Sequence, residues 1–92
     1  MRISTRERWL QRAYALSLEN ECEAYSVDEY IEMLMINPTT GRMSADIPLK
    51  RGASQWLSSD KRFGSVTYKR TAPIGRSVYD VLLFYAVVNN DG

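Results

Sequence analysis

The sequence predicts one α+β domain in which three helices are followed by a two-stranded antiparallel hairpin. Three observations carry that expectation. The capping-box patterns Ser4-Thr-Arg-Glu7 and Ser26-Val-Asp-Glu29 each open a run of apolar residues at helical spacing. Leu49 to Leu57 repeats the helical period after a segment dense in turn formers. Beyond Gly64 the apolar period shortens to two, as a half-exposed strand requires.

In the first helix the Ser4 hydroxyl is placed to accept from an early N–H, with Glu7 reaching back to the cap. Trp9, Leu10, Ala13 and Leu16 follow at i, i+1, i+4 and i+7, so the helix runs to about Asn20 with one buried stripe, bordered by the small Ser17. The second helix carries Val27, Tyr30, Ile31 and Leu34 and ends at Asn37-Pro38. Residues 37 to 47 read as a loop. Asp46 or Ile47 then caps a third helix with Pro48 in its first turn and Leu49, Ala53, Trp56 and Leu57 as its buried stripe. Gly52 weakens that helix by roughly 1 kcal/mol relative to alanine. Ser65 to Thr71 forms a strand with one wet face, Ala72 to Gly75 a turn, and Val78 to Val88 a strand covered at least in part on both faces. Phe63, Trp56, Tyr68 and Tyr79 are expected in the core.

Ninety-two residues fit a single domain spanning 1–92, with a helix over 1–20 and the helix-loop-helix plus hairpin over 26–88. Cys22 is the only cysteine and histidine is absent, which excludes an internal disulfide, a cysteine-histidine zinc site and imidazole catalysis. Those absences fit a reducing cytoplasm. The longest apolar run, Val81 to Val88, is too short for a membrane span, so neither membrane association nor export is expected. Asp28, Glu29 and Glu32 share a helix but have no glycine-rich phosphate loop, nucleophile or metal-ligand spacing near them. No enzymatic activity, cofactor or metal is therefore expected.

A net charge of +1 hides strong segregation. Residues 1–18 carry +3, residues 19–41 carry −6 through Glu19, Glu21, Glu23, Asp28, Glu29 and Glu32, and residues 42–76 carry +6. In that order of elements, Tyr25-Ser-Val-Asp-Glu-Tyr-Ile31, Ile47-Pro48 and Ala53-Ser-Gln-Trp-Leu57-Ser-Ser-Asp60-Lys-Arg62-Phe63 resemble the winged helix-turn-helix superfamily, with a HARE-HTH type of pattern. The resemblance covers about two thirds of the chain and implies a winged helix-turn-helix architecture, with a third helix that reads DNA and a hairpin wing. The long loop before the third helix departs from the tight turn of a minimal helix-turn-helix.

Read from the residues alone, removing the buried stripe of the third helix leaves Lys50, Arg51, Ser54, Gln55 and Ser58 on its opposite face. Lys and Arg suit phosphate or guanine, Gln pairs with adenine, and Ser allows a close approach to the major groove. Lys69, Arg70 and Arg76 surround the hairpin turn and suit the DNA backbone or the minor groove. Lys61 and Arg62 fit either DNA contact or simple stabilisation of a helix C-terminus. About six phosphate contacts would give a salt slope of roughly −5. The acidic segment would repel phosphate and is expected to lie away from the duplex. The resulting expectation is a small regulator that binds double-stranded DNA, with a homodimer compatible. The competing reading is a protein partner, the chain acting as an adaptor or small inhibitor of a larger complex.

Overall fold

The Ser4 hydroxyl accepts from the Glu7 N–H at 3.1 Å and opens α1, Thr5–Glu19. The Glu7 carboxylate turns to Arg62 instead of returning to the cap. At Ser26 both halves of the capping box close, with Ser26 Oγ accepting from the Glu29 N–H and Glu29 Oε1 accepting from the Ser26 N–H. This box starts α2, Val27–Met33, which is shorter than the sequence period indicates. The chain leaves the helix at Leu34 because residues 35–44 fold on themselves. Ile36 bridges Met43, the Asn37 N–H donates to the Arg42 carbonyl, and Gly41 takes the left-handed φ of 71° that suits glycine. Arg12 fastens this turn to α1 through the Leu34 carbonyl and the Ser44 hydroxyl, each at 2.9 Å. The computed structural model describes residues 3–44, 47–71 and 78–88 of the chain.

The third helix, α3, spans Lys50–Ser59 and differs from its sequence reading at the start. Leu49 is its N-cap, makes no side-chain capping bond and is 84% exposed, so it is not part of the buried stripe. Pro48 precedes the helix, and Asp46 lies outside the described residues. Ala53 and Leu57 are buried, while Trp56 is half-buried with its ring 6.0 Å from Trp9, edge to face.

The sheet overturns the expected winged helix-turn-helix layout of three helices and a two-stranded wing. The fold is α+β, but among the described residues its antiparallel sheet has three strands in the order β1-β3-β2. These are β1 (Tyr25–Ser26), β2 (Phe63–Thr71) and β3 (Val78–Ala86). Tyr25 faces Phe84 and Ser26 faces Leu83, placing a strand between α1 and α2. Two residues are too few to show a period, and Ser26 also serves as the cap of α2, so the helix signal masks the strand.

The central strand is bound to the helices by three hydroxyls. Tyr30 donates to the Phe84 carbonyl at 2.7 Å, and burial pushes its phenol up to about 12. Ser17, fully buried, accepts from the Ala86 N–H at 2.9 Å and donates to the Glu23 carbonyl at 2.8 Å. Tyr14 donates to the Val87 carbonyl at 3.0 Å. Around these bonds Trp9 and Phe63 meet Tyr30 edge to face at 6.4 and 6.2 Å between ring centres.

Only the base of the β2–β3 hairpin enters this core. Of β3, Leu83, Phe84 and Ala86 are buried, while Val78, Tyr79, Asp80 and Leu82 are exposed, so the strand is not covered on both faces. Tyr68 is 58% exposed and Tyr79 is 47% exposed, contrary to the expectation that both belong to the core. The turn over 72–75 and Arg76 lie outside the described residues.

Replacing Ser17 with Ala strips a buried backbone N–H, that of Ala86, and the part-buried Glu23 carbonyl of their partner and is expected to cost about 2 kcal/mol, against about 1 kcal/mol for Tyr30→Phe. Urea unfolding measures both. A Ser17→Ala variant as stable as the parent would contradict this role.

Candidate nucleic-acid interface

The solvent face of α3 follows from its buried stripe. With Ala53 and Leu57 inward, Arg51, Gln55, Ser58 and Ser59 face out and are all exposed. The Ser58 hydroxyl donates to the Ser54 carbonyl at 2.8 Å and that of Ser59 to the Gln55 carbonyl at 2.7 Å. Both serines are thus folded onto the helix, leaving a low surface from which Arg51 and Gln55 project. α3 contains no acidic residue, and Lys61 lies exposed just beyond it. Ser54 is half-buried and sits with Lys50 on the flank of the helix.

The flanking cations are already engaged. Lys50 pairs with Asp28 at 2.9 Å, Lys69 with Asp80 at 3.6 Å, and Arg70 with Glu29 at 3.1 Å. Arg62 donates to both Glu7 oxygens at 2.7 and 2.8 Å and to both Asp60 oxygens at 2.8 and 2.7 Å. The first turn of α2 therefore reaches both the start of α3 and the far end of β2. The acids that were expected to lie away from any duplex stand among the cations expected to touch it. Of the cations singled out from the sequence, Arg51 and Lys61 have no ion-pair partner among the described residues.

These pairs differ in strength. Lys50–Asp28 and Lys69–Asp80 are open to water, so each contributes less than about 1 kcal/mol and can be exchanged for a phosphate. Arg62 is a structural clamp joining α1 to the end of α3. Its hydrogen bonds hold the carboxyls of Glu7 and Asp60 below their ordinary values, and those two acids in turn raise the Arg62 pKa. Glu29 is also lowered; burial opposes the shift, but the Ser26 N–H and hydroxyl and the Arg70 guanidinium outweigh it. Arg62 and Arg70 are consequently poor candidates for phosphate contact.

Glu29, Asp28, Glu7 and Asp80 shape the site, yet the sequence reading assigned none of them to it. Glu7 and Glu29 meet arginines 55 and 41 residues away, and no local period encodes such pairs. Lys69–Asp80 alone was accessible, because hairpin register places those two residues opposite each other. Among the described residues no three His, Cys, Asp or Glu side chains converge to hold a metal ion, and no helix is long and apolar enough to cross a membrane.

Because the folded pKa values of Glu7 and Asp60 lie below the unfolded ones, their pairing stabilises the fold above about pH 4.5 and is lost as pH falls through the folded values. An Arg62→Met variant should be less stable at neutral pH and should lose less further stability as pH falls below about 4.5. Urea midpoints across that range test this; parallel acid limbs in the two proteins would contradict it.

Comparison with protein-family models, with curated proteins and with solved structures finds no match for this chain.

Proposed function

We propose that the chain binds double-stranded DNA through the solvent face of α3, as a small regulator acting in the cytoplasm. The observation that carries this reading is a helix face on which Arg51 and Gln55 project above small serines, with no acid on the helix and Lys61 at its end. A low face lets a helix sit deep in the major groove, where Arg recognises guanine and Gln recognises adenine. The sequence resemblance to the winged helix-turn-helix superfamily supports this role for α3, although the two-stranded layout it implied is replaced by the three-stranded sheet.

Pairing of the flanking cations changes the quantitative expectation. Arg51 and Lys61 are available, and Lys50 and Lys69 can be released from exposed pairs, so roughly two to four phosphates are neutralised instead of six. The slope of log K against log salt should then lie between about −2 and about −4. A second reading, a module that binds another protein, is favoured by one separate observation, the exposed Val66, Tyr68, Tyr79 and Leu82 of the hairpin.

Fluorescence anisotropy with duplexes selected from a random pool tests the DNA reading. The Arg51→Ala and Gln55→Ala double variant is expected to bind the selected site at least about tenfold more weakly while keeping the parent's thermal stability. Undiminished binding by that variant, or no salt-sensitive binding by the parent, would overturn it.

A further inference from the structure

β2 is an edge strand of the sheet, and the charges that protect it, Lys69 and Arg70, are confined to one end. It runs for nine residues without proline, and its register with β3 continues unbroken from Phe63↔Ala86 to Thr71↔Val78, so no bulge turns it away. From Ser65 to Lys69 every residue is exposed. A two-stranded ribbon of this kind is only marginally stable in water, and among its described outer residues Tyr68, Lys69, Thr71, Val78, Tyr79 and Asp80 are exposed, while Arg70 is half-buried.

We infer that β2 pairs antiparallel with β2 of a second copy, about a two-fold axis at Thr67, making one continuous sheet across a homodimer. The axis lies at the strand's midpoint, where overlap is longest. Tyr68 of each copy then faces Val66 of the other, giving two aromatic–aliphatic pairs, and Thr67 meets Thr67 at the axis. Charge selects this direction. Lys69 falls opposite Ser65 of the second copy and Arg70 opposite Gly64, whose open face is occupied by the Tyr85 ring. A parallel pairing would set Lys69 and Arg70 of both copies side by side and is disfavoured by repulsion. The inference draws on the edge strand alone and is independent of the nucleic-acid reading.

Sedimentation equilibrium on the full chain free of nucleic acid tests it. The parent should reach twice the monomer mass at tens of micromolar. Thr67→Lys and Thr67→Glu each place like charges together on the axis and should weaken the dimer at least about tenfold. An equimolar mixture of the two variants should restore it, because opposite charges then meet. Thr67 is exposed, so far-ultraviolet circular dichroism should match the parent for both variants. A parent that stays monomeric throughout, a dimer unaffected by Thr67→Lys, or a mixture no tighter than either variant would overturn the pairing.

Discussion

A two-residue β1 cannot complete a nine-residue central strand, and the rest of the molecule is arranged around that shortfall. Buried backbone groups need partners, and leaving one without costs about 1 to 3 kcal/mol. Helix hydroxyls therefore take part in the sheet: Tyr30 reaches Phe84, Ser17 reaches Ala86 and Tyr14 reaches Val87. These bonds fix where α1 and α2 lie over β3, and the Trp9, Tyr30 and Phe63 rings fill the space so defined. The position of α3 follows, because Ala53 and Leu57 have only this cluster to pack against.

Fixing α2 in this way brings its acidic first turn beside the basic segments. Asp28 and Glu29 come within ion-pair distance of Lys50 and Arg70, so the segregation of charge along the chain is partly cancelled in space. Among the described residues, Lys50, Arg62, Lys69 and Arg70 each face a carboxylate. The DNA contact we propose is correspondingly narrow, a helix face that depends on Arg51 and Gln55 and is more suited to base edges than to many phosphates. In that proposed complex few phosphate contacts would limit affinity, and base contacts would carry a larger share of the binding.

Local rules made the helices legible. The hydroxyl caps at Ser4 and Ser26, the stripes through Trp9 and Leu57, and the hairpin were all readable because their signals lie within a few residues. Ser17 looked like a small boundary residue because its role depends on a strand 69 positions away. Leu49 matched the helical period, but it precedes the first turn of α3 and so has no neighbour to bury it. The hairpin shows the same limit. Tyr68 and Tyr79 read as core because β-branched and aromatic alternation reports that a face is apolar, and not which molecule covers it. Of the candidate site, the exposure of Arg51, Gln55 and Ser58 was legible, while the pairing of Lys50, Arg62 and Arg70 with Asp28, Glu7 and Glu29 was set by tertiary contacts.

The outward face of α3 and the apolar ribbon are separate surfaces, and a titration that reports on every residue distinguishes them. Backbone amide chemical-shift mapping with a duplex carrying the selected site is the most direct measurement. Arg51, Gln55, Ser58 and Lys61 should shift together in proportion to bound DNA, while Val66, Tyr68 and Leu82 stay in place. Shifts concentrated on the ribbon, or spread evenly over the acidic turn of α2, would contradict the assignment of α3 as the reading surface.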